Sequence, residues 1–228
     1  MIIYNLKAVI IDLDGTLINS LKVYDEVHKI VLERYNIITE KGFDTFGASP
    51  RELISNILNK YNINASVDDI LRESEDLIIS KYIDKIHFNP GAKNLLNYLK
   101  DKKLKIGVVT SNTRRLAVEV LKNLGIINLF DIIITGDDVK EPKPEPDCYI
   151  KAINLLNIVP NSVLAIEDSI YGIISAKRAG INVVGIASGV NKKSELSSAG
   201  ATLVFKNLKE LYDYLVKEEN NYNNYNNN

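Results

Sequence analysis

Hydrophobic and polar positions along the chain alternate between two patterns. Six short runs rich in valine and isoleucine, residues 7–11, 106–109, 131–135, 163–166, 183–186 and 203–205, are apolar at most positions. Most are too short for helices, and unbroken apolarity marks a strand covered on both faces, so they predict buried parallel strands. Between them, Ala92, Leu95, Leu96 and Leu99 recur at helical spacing, as do Ala117, Leu121 and Leu124, which close on Gly125 as a helix C-terminus. Strands alternating with helices predict an α/β, Rossmann-like doubly wound parallel sheet.

One stretch departs from the alternation. Between about Leu17 and Asn89 there is little strand signal, and helical patterns cover 23–35, 50–61 and 67–86. Pro50 falls at the first turn of its helix, where a missing N–H costs nothing. Asn89-Pro90-Gly91 marks the return to the sheet. This predicts an inserted α-helical cap over 18–89, with the core formed by 1–17 and 90–217. Residues 218–228, almost all Asn, Glu and Tyr, lack the apolar content to bury anything and predict a disordered tail.

Composition narrows the classes. The 228 residues are enough for a sizeable core, and 46% hydrophobic with 25% charged residues is a globular profile. A net charge of −1 gives no broad attraction to nucleic acid or an anionic membrane. A single cysteine excludes an internal disulfide framework. No apolar run approaches the roughly 20 residues of a membrane span, and Met1–Asn5 lacks a signal-peptide pattern. A cytoplasmic protein, monomer or homodimer, is the expectation.

In such a sheet, ligands bind beyond the carboxyl ends of the strands. The first strand runs into Asp12 and Asp14, the second into Thr110-Ser111-Asn112, and the fourth into Glu167-Asp168-Ser169. After the third comes an Asp137–Pro146 segment carrying Lys140 and Lys143. Two acids one residue apart at the end of a buried strand are costly unless a cation or a reaction uses them. Acidic positions converging from several strands suit Mg²⁺, which takes carboxylates and water where phosphate is also held. A hydroxyl and a lysine suit phosphoryl oxygens. No Gly-x-x-x-x-Gly-Lys pattern is present, so a P-loop nucleotidase is unsupported.

These segments resemble the haloacid dehalogenase superfamily, in the branch with a helical cap after the first motif. Asp12-Leu13-Asp14-Gly15-Thr16-Leu17 is similar to its first motif, Thr110 to its second, Lys143 in Lys143-Pro144-Glu145-Pro146 to its third, and Glu167-Asp168 followed by Gly172 to its fourth. The resemblance implies Asp12 as nucleophile and Asp14 as general acid and base. It implies Gly15, Thr110, Ser111, Asn112 and Lys143 around the phosphate. Mg²⁺ would be held by Asp12, the carbonyl of Asp14, and Asp168, with Glu167 adjacent. An acid at residue 14 implies phosphate ester chemistry, since dehalogenases and phosphonatases of the superfamily lack it. Residues 47–52 resemble the specificity loop, making Arg51 a substrate contact or a surface ion pair. Tyr24 aligns with the hinge, facing the pocket.

The implied activity is a Mg²⁺-dependent phosphatase of small phosphorylated metabolites, phosphoglycolate or a sugar phosphate. A β-phosphoglucomutase-like isomerase is the alternative. Against it, the mutases carry a hinge histidine where Tyr24 stands, an arginine one place before Arg51, and often Val where Thr16 stands. A non-catalytic binding protein is a third reading, opposed by the full motif set. His28, His87 and Cys148 have no accompanying signature and read as packing or surface residues.

Overall fold

The computed structural model describes residues 6–38 and 49–226, with side chains as far as residue 222. Met1–Asn5 and the Gly47-Ala48 part of the proposed specificity loop lie outside the described residues. The six apolar runs form β1 (Ala8–Asp12), β2 (Lys105–Val109), β3 (Ile132–Ile134), β4 (Val163–Glu167), β5 (Asn182–Ile186) and β6 (Leu203–Phe205). They pair in one all-parallel sheet of order β3-β2-β1-β4-β5-β6.

Both faces are covered, as the unbroken apolar runs require. Ala8, Ile10, Ala165 and Val183 point to one face, packed by α6 (Asp147–Leu156), α7 (Ile170–Arg178) and α8 (Lys193–Ser198). Val9, Ile11, Val108, Ile166 and Val184 point to the other, packed by α4 (Ala92–Asp101), α5 (Arg114–Asn123) and α9 (Leu208–Asn226). Each fully buried Val or Ile contributes about 1.5–3 kcal/mol relative to exposure. Between β2 and β4, β1 sits where the chain order reverses, so its carboxyl end opens onto the crevice of the sheet.

The insert after β1 carries α1 (Leu21–Arg34), α2 (Pro50–Tyr61) and α3 (Val67–Leu77). Ser49 caps α2 by accepting from the Glu52 N–H, and Pro50 holds its first position. The helical pattern expected over 67–86 changes pitch at Ile78, becoming a π turn (Ile78–Tyr82) and then a 3₁₀ turn (Ile83–Lys85). The two chain segments joining insert and core lie together. Ile18 bridges Phe88 antiparallel, and the Asn89 amide donates to the carbonyls of Gly15 and Thr16 at 2.7 and 2.9 Å.

The expected disordered tail from residue 218 is corrected. Helix α9 continues to Asn226. Its apolar face, Leu208, Leu211 and Leu215, anchors the first turns, and adding residues to an existing helix is cheap compared with nucleating one. Glu219 then accepts from the Tyr98 hydroxyl at 3.0 Å and pairs with Lys102, tying the polar extension to α4.

Candidate active site

Four strand ends converge above β1. Asp12 is the last residue of β1, and Lys143 reaches it from the loop after β3: its Nζ donates to Asp12 Oδ1 at 2.7 Å and to Glu167 Oε1 at 2.6 Å. All three side chains are buried. Glu167 ends β4 and also accepts from the Tyr149 hydroxyl at 2.6 Å. Lys140, the alternative lysine, is exposed.

Asp12, Glu167 and Asp168 bring carboxylate oxygens within 4.8 Å of one another. Among the described residues these three buried acids have one lysine bonded within the cluster, Lys143 to Asp12 and Glu167, so the acids outnumber their cation. The consequences show in the ionisation of its members. Burial and then the Glu167 charge push Asp168 up to about 7. Burial and the same charge raise Asp12 well above the usual carboxylate range against the pull of Lys143. Burial opposes the charge of Lys143, but Asp12 and Glu167 outweigh it and hold the ammonium well above its ordinary value. An all-oxygen, acid-rich set with too few cations of its own is the donor chemistry that a hard divalent ion satisfies.

The backbone is fitted to this cluster. Gly15 has φ +83°, and a Cβ there would stand 2.2 Å from Asp168 Oδ2. A Cβ on Gly172 in α7 would come within 2.0 Å of Glu167 Oε2. Thr16 donates to Asp168 Oδ1 at 3.0 Å, and Ser188 to the Gly15 carbonyl at 2.7 Å.

Asp14 takes the opposite side of the same turn. Its Oδ2 accepts from the Thr110 hydroxyl and the Asn112 amide, both at 2.7 Å, and its Oδ1 from Ser20 at 2.6 Å. Thr110 and Asn112 thus bind Asp14 in this arrangement. Ser111 lines a cavity of about 300 Å³ beside them, together with Thr110, Thr113, Lys140, Lys143 and, from the insert, Arg51 and Leu71. Arg51 also makes an exposed ion pair with Asp68. Tyr24, on α1, is buried, and its hydroxyl lies near Asp14 and Ser20 without a well-formed hydrogen bond to either. Burial and then the Asp14 charge raise its ionisation well above normal, so it stays a phenol.

Several site residues had no sequence signature. Ser20 and Tyr149 reach the site through the fold alone, whereas Thr113, which lines the cavity, carried a local signal as a helix N-cap accepting from the Leu116 N–H at 3.3 Å. His28 is buried in α1, where desolvation lowers it to about 4 and leaves it neutral. Cys148 is buried, and desolvation raises its thiol, keeping it unreactive.

A doubly wound parallel sheet with paired acids at the switch-point strand and a helical insert after that strand defines a Rossmann-like α/β protein. More particularly, the chain belongs to the haloacid dehalogenase-like hydrolase family, whose sequence model matches residues 9–186. It is 30% identical over 204 residues to the phosphorylated carbohydrates phosphatase of Thermotoga maritima, covering 88% of this chain and 94% of that one. It is 31% identical to the β-phosphoglucomutase of Bacillus subtilis, covering 94% and 95%. A solved hydrolase from Pseudomonas syringae superposes with a TM-score of 0.81 at 27% identity, over 92% of this chain and 98% of that one. The chain is a phosphoric monoester hydrolase of this family. No described helix is long and apolar enough to cross a membrane.

Proposed function

We propose that the protein is a Mg²⁺-dependent phosphatase of small phosphorylated metabolites that works through an aspartyl-phosphate on Asp12. The observation that carries this reading is the buried Asp12–Lys143–Glu167 bridge packed against Asp168, with Asp14 held apart by Thr110, Asn112 and Ser20. It separates two carboxylates of one turn into two chemical environments, which acid–base and nucleophilic roles require.

In the first half-reaction an Asp12 carboxylate oxygen attacks phosphorus, the ester P–O bond breaks, and protonated Asp14 gives its proton to the leaving oxygen. In the second, Asp14 takes a proton from a water that attacks the phosphorus of the aspartyl-phosphate, restoring both side chains and releasing inorganic phosphate. Lys143 neutralises charge as the dianion approaches Asp12. Asp12, Asp168 and the backbone of residue 14 would hold Mg²⁺, with Glu167 orienting Lys143 beside them; when bound, the ion supplies charge neutralisation at the phosphoryl group. The cavity volume suits a small metabolite.

The mutase is the second reading, favoured by the 31% identity to a β-phosphoglucomutase. It is opposed by Tyr24, a buried neutral phenol where those enzymes are expected to carry a histidine. Hydrolysis of p-nitrophenyl phosphate with and without Mg²⁺ tests the phosphatase reading; no release of phosphate in either condition contradicts it. Conversion of β-glucose 1-phosphate to glucose 6-phosphate with a trace of the 1,6-bisphosphate, without free phosphate, would establish the mutase instead.

A further inference from the structure

After β1 the chain curls through residues 13–18, and the Gly15 N–H closes the curl on the Ile18 carbonyl at 2.9 Å. Four carbonyls of this curl meet one residue, Asn89, where the insert returns to the core. The Asn89 side-chain amide donates to Gly15 and Thr16 at 2.7 and 2.9 Å, with the Ile18 carbonyl at 3.3 Å, and its backbone N–H donates to Leu17 at 3.0 Å. Ser188, from the loop after β5, gives the Gly15 carbonyl a second donor at 2.7 Å.

Three carbonyl oxygens within 3.3 Å of one nitrogen repel one another unless a donor holds them. The amide of Asn89 supplies two N–H groups at that point. Gly15 adds a backbone at φ +83°, pressed against Asp168. The curl therefore depends on these donors for its form.

The two acids of the first motif depend on the curl unequally. Asp12 pairs with Val109 inside the sheet and bonds to Lys143. Asp14 lies past the end of the strand and bridges Ile18, within the curl itself. From there its carboxylate has to reach Thr110, Asn112 and Ser20. Loosening the curl moves Asp14 and leaves Asp12 in place.

We infer that Asn89, with Ser188, positions Asp14. Neither side chain touches substrate; both act through the carbonyls of the curl. The inference rests on the phosphatase reading for the step it affects, in which Asp14 gives its proton to the leaving oxygen. An insert and a core that share this clamp bring the proton carrier into place together.

The experiment compares p-nitrophenyl phosphate with phenyl phosphate, two esters of one ring, in the wild type, Asn89→Ala, Ser188→Ala and Asn19→Ala. Saturating Mg²⁺ keeps the Thr16–Asp168 contact of the same curl out of the comparison. p-Nitrophenolate leaves with little help, whereas the more basic phenolate needs the proton. Because kcat/KM covers the steps up to transfer onto Asp12, the ratio between the two esters isolates that proton. Asn19 is the control: its side chain accepts from the His87 N–H at 2.7 Å, tying the same two segments without touching the carbonyls of the curl.

Asn89→Ala should lower kcat/KM about 10-fold more for phenyl phosphate than for p-nitrophenyl phosphate. Ser188→Ala should shift the ratio the same way by less, and Asn19→Ala should keep the wild-type ratio. Equal losses on both esters in Asn89→Ala, or the same change of ratio in Asn19→Ala, overturn the inference, because a role confined to joining insert and core predicts them. If Asn89→Ala does not fold, the ratio in Ser188→Ala decides in the same way. A wild type that cleaves neither ester defeats the phosphatase reading. Where the kinetics give no ratio, crystal structures of the wild type and of the same two variants decide the role of Asn89 and Ser188: Asp14 displaced from the Thr110 hydroxyl supports it, and Asp14 still bonded there overturns it.

Discussion

The Thr110 hydroxyl donates to Asp14 Oδ2 at 2.7 Å, linking the end of β2 to the turn that follows β1. A residue expected at the phosphate is therefore also a residue that holds Asp14, the proposed proton carrier. Thr110→Val keeps the shape of this buried site and removes the donor. It is expected to lower kcat on p-nitrophenyl phosphate by about 10–100-fold, the range of a general acid–base contribution, with a small change in thermal stability. A loss seen only in KM would show that Thr110 touches substrate alone.

Among the described residues, Lys143 is the one lysine bonded within the cluster of three buried acids, to Asp12 and Glu167. Lys143→Met leaves Asp12 and Glu167 buried without their shared cation, and removing one partner of a buried pair costs about 3–5 kcal/mol. Urea denaturation of the metal-free protein should show a destabilisation of that order, with phosphatase activity lost. An unchanged midpoint would mean that the acids are neutralised some other way.

The acidic cluster makes the metal-free protein pH-dependent. Asp168 rises from an ordinary value of 3.8 to about 7 in the fold. The folded state therefore binds its proton more tightly than the unfolded chain, and this contribution to stability is full below about 3.8 and lost as pH rises through about 7. Measured in EDTA between these limits, the wild type should lose stability relative to Asp168→Asn as pH increases. Mg²⁺ should restore it at the upper end, by binding the ionised cluster. A wild type that gains stability over Asp168→Asn with rising pH in EDTA contradicts this assignment.

Gly172 shows how closely α7 approaches the cluster. A Cβ at that position would meet Glu167 Oε2 at 2.0 Å, and Glu167 is fully buried and held by Lys143 and Tyr149. Gly172→Ala should displace the carboxylate, lowering the thermal midpoint by several degrees and the activity by at least about 10-fold. Full activity in that variant would show that Glu167 does not position Lys143.

The sheet was legible in the sequence because both of its faces are covered. Complete burial makes a run such as 7–11 apolar throughout, and the observed strand Ala8–Asp12 differs from it by one residue at each end. Motif spacing brought out Asp12, Asp14, Lys143, Glu167 and Asp168, which the fold gathers above one strand. Long-range partners left no trace, because their contact depends on how the elements pack. Ser20 meets Asp14 across a turn, Tyr149 meets Glu167 from a neighbouring helix, and Glu75 meets Thr113 across the join of insert and core. The polar residues after Lys217 misled for the opposite reason: their helix is supported by Tyr98 and Lys102, which lie far back in the chain.

The central claim is that Asp12 carries the phosphoryl group. Acid quenching of the protein during turnover of p-nitrophenyl phosphate, followed by peptide mass mapping, tests it most directly. The account predicts one added phosphoryl group on the peptide containing Asp12 and none in Asp12→Asn, which should be inactive. Turnover by Asp12→Asn comparable to the wild type, with the wild-type peptide unmodified, would contradict it.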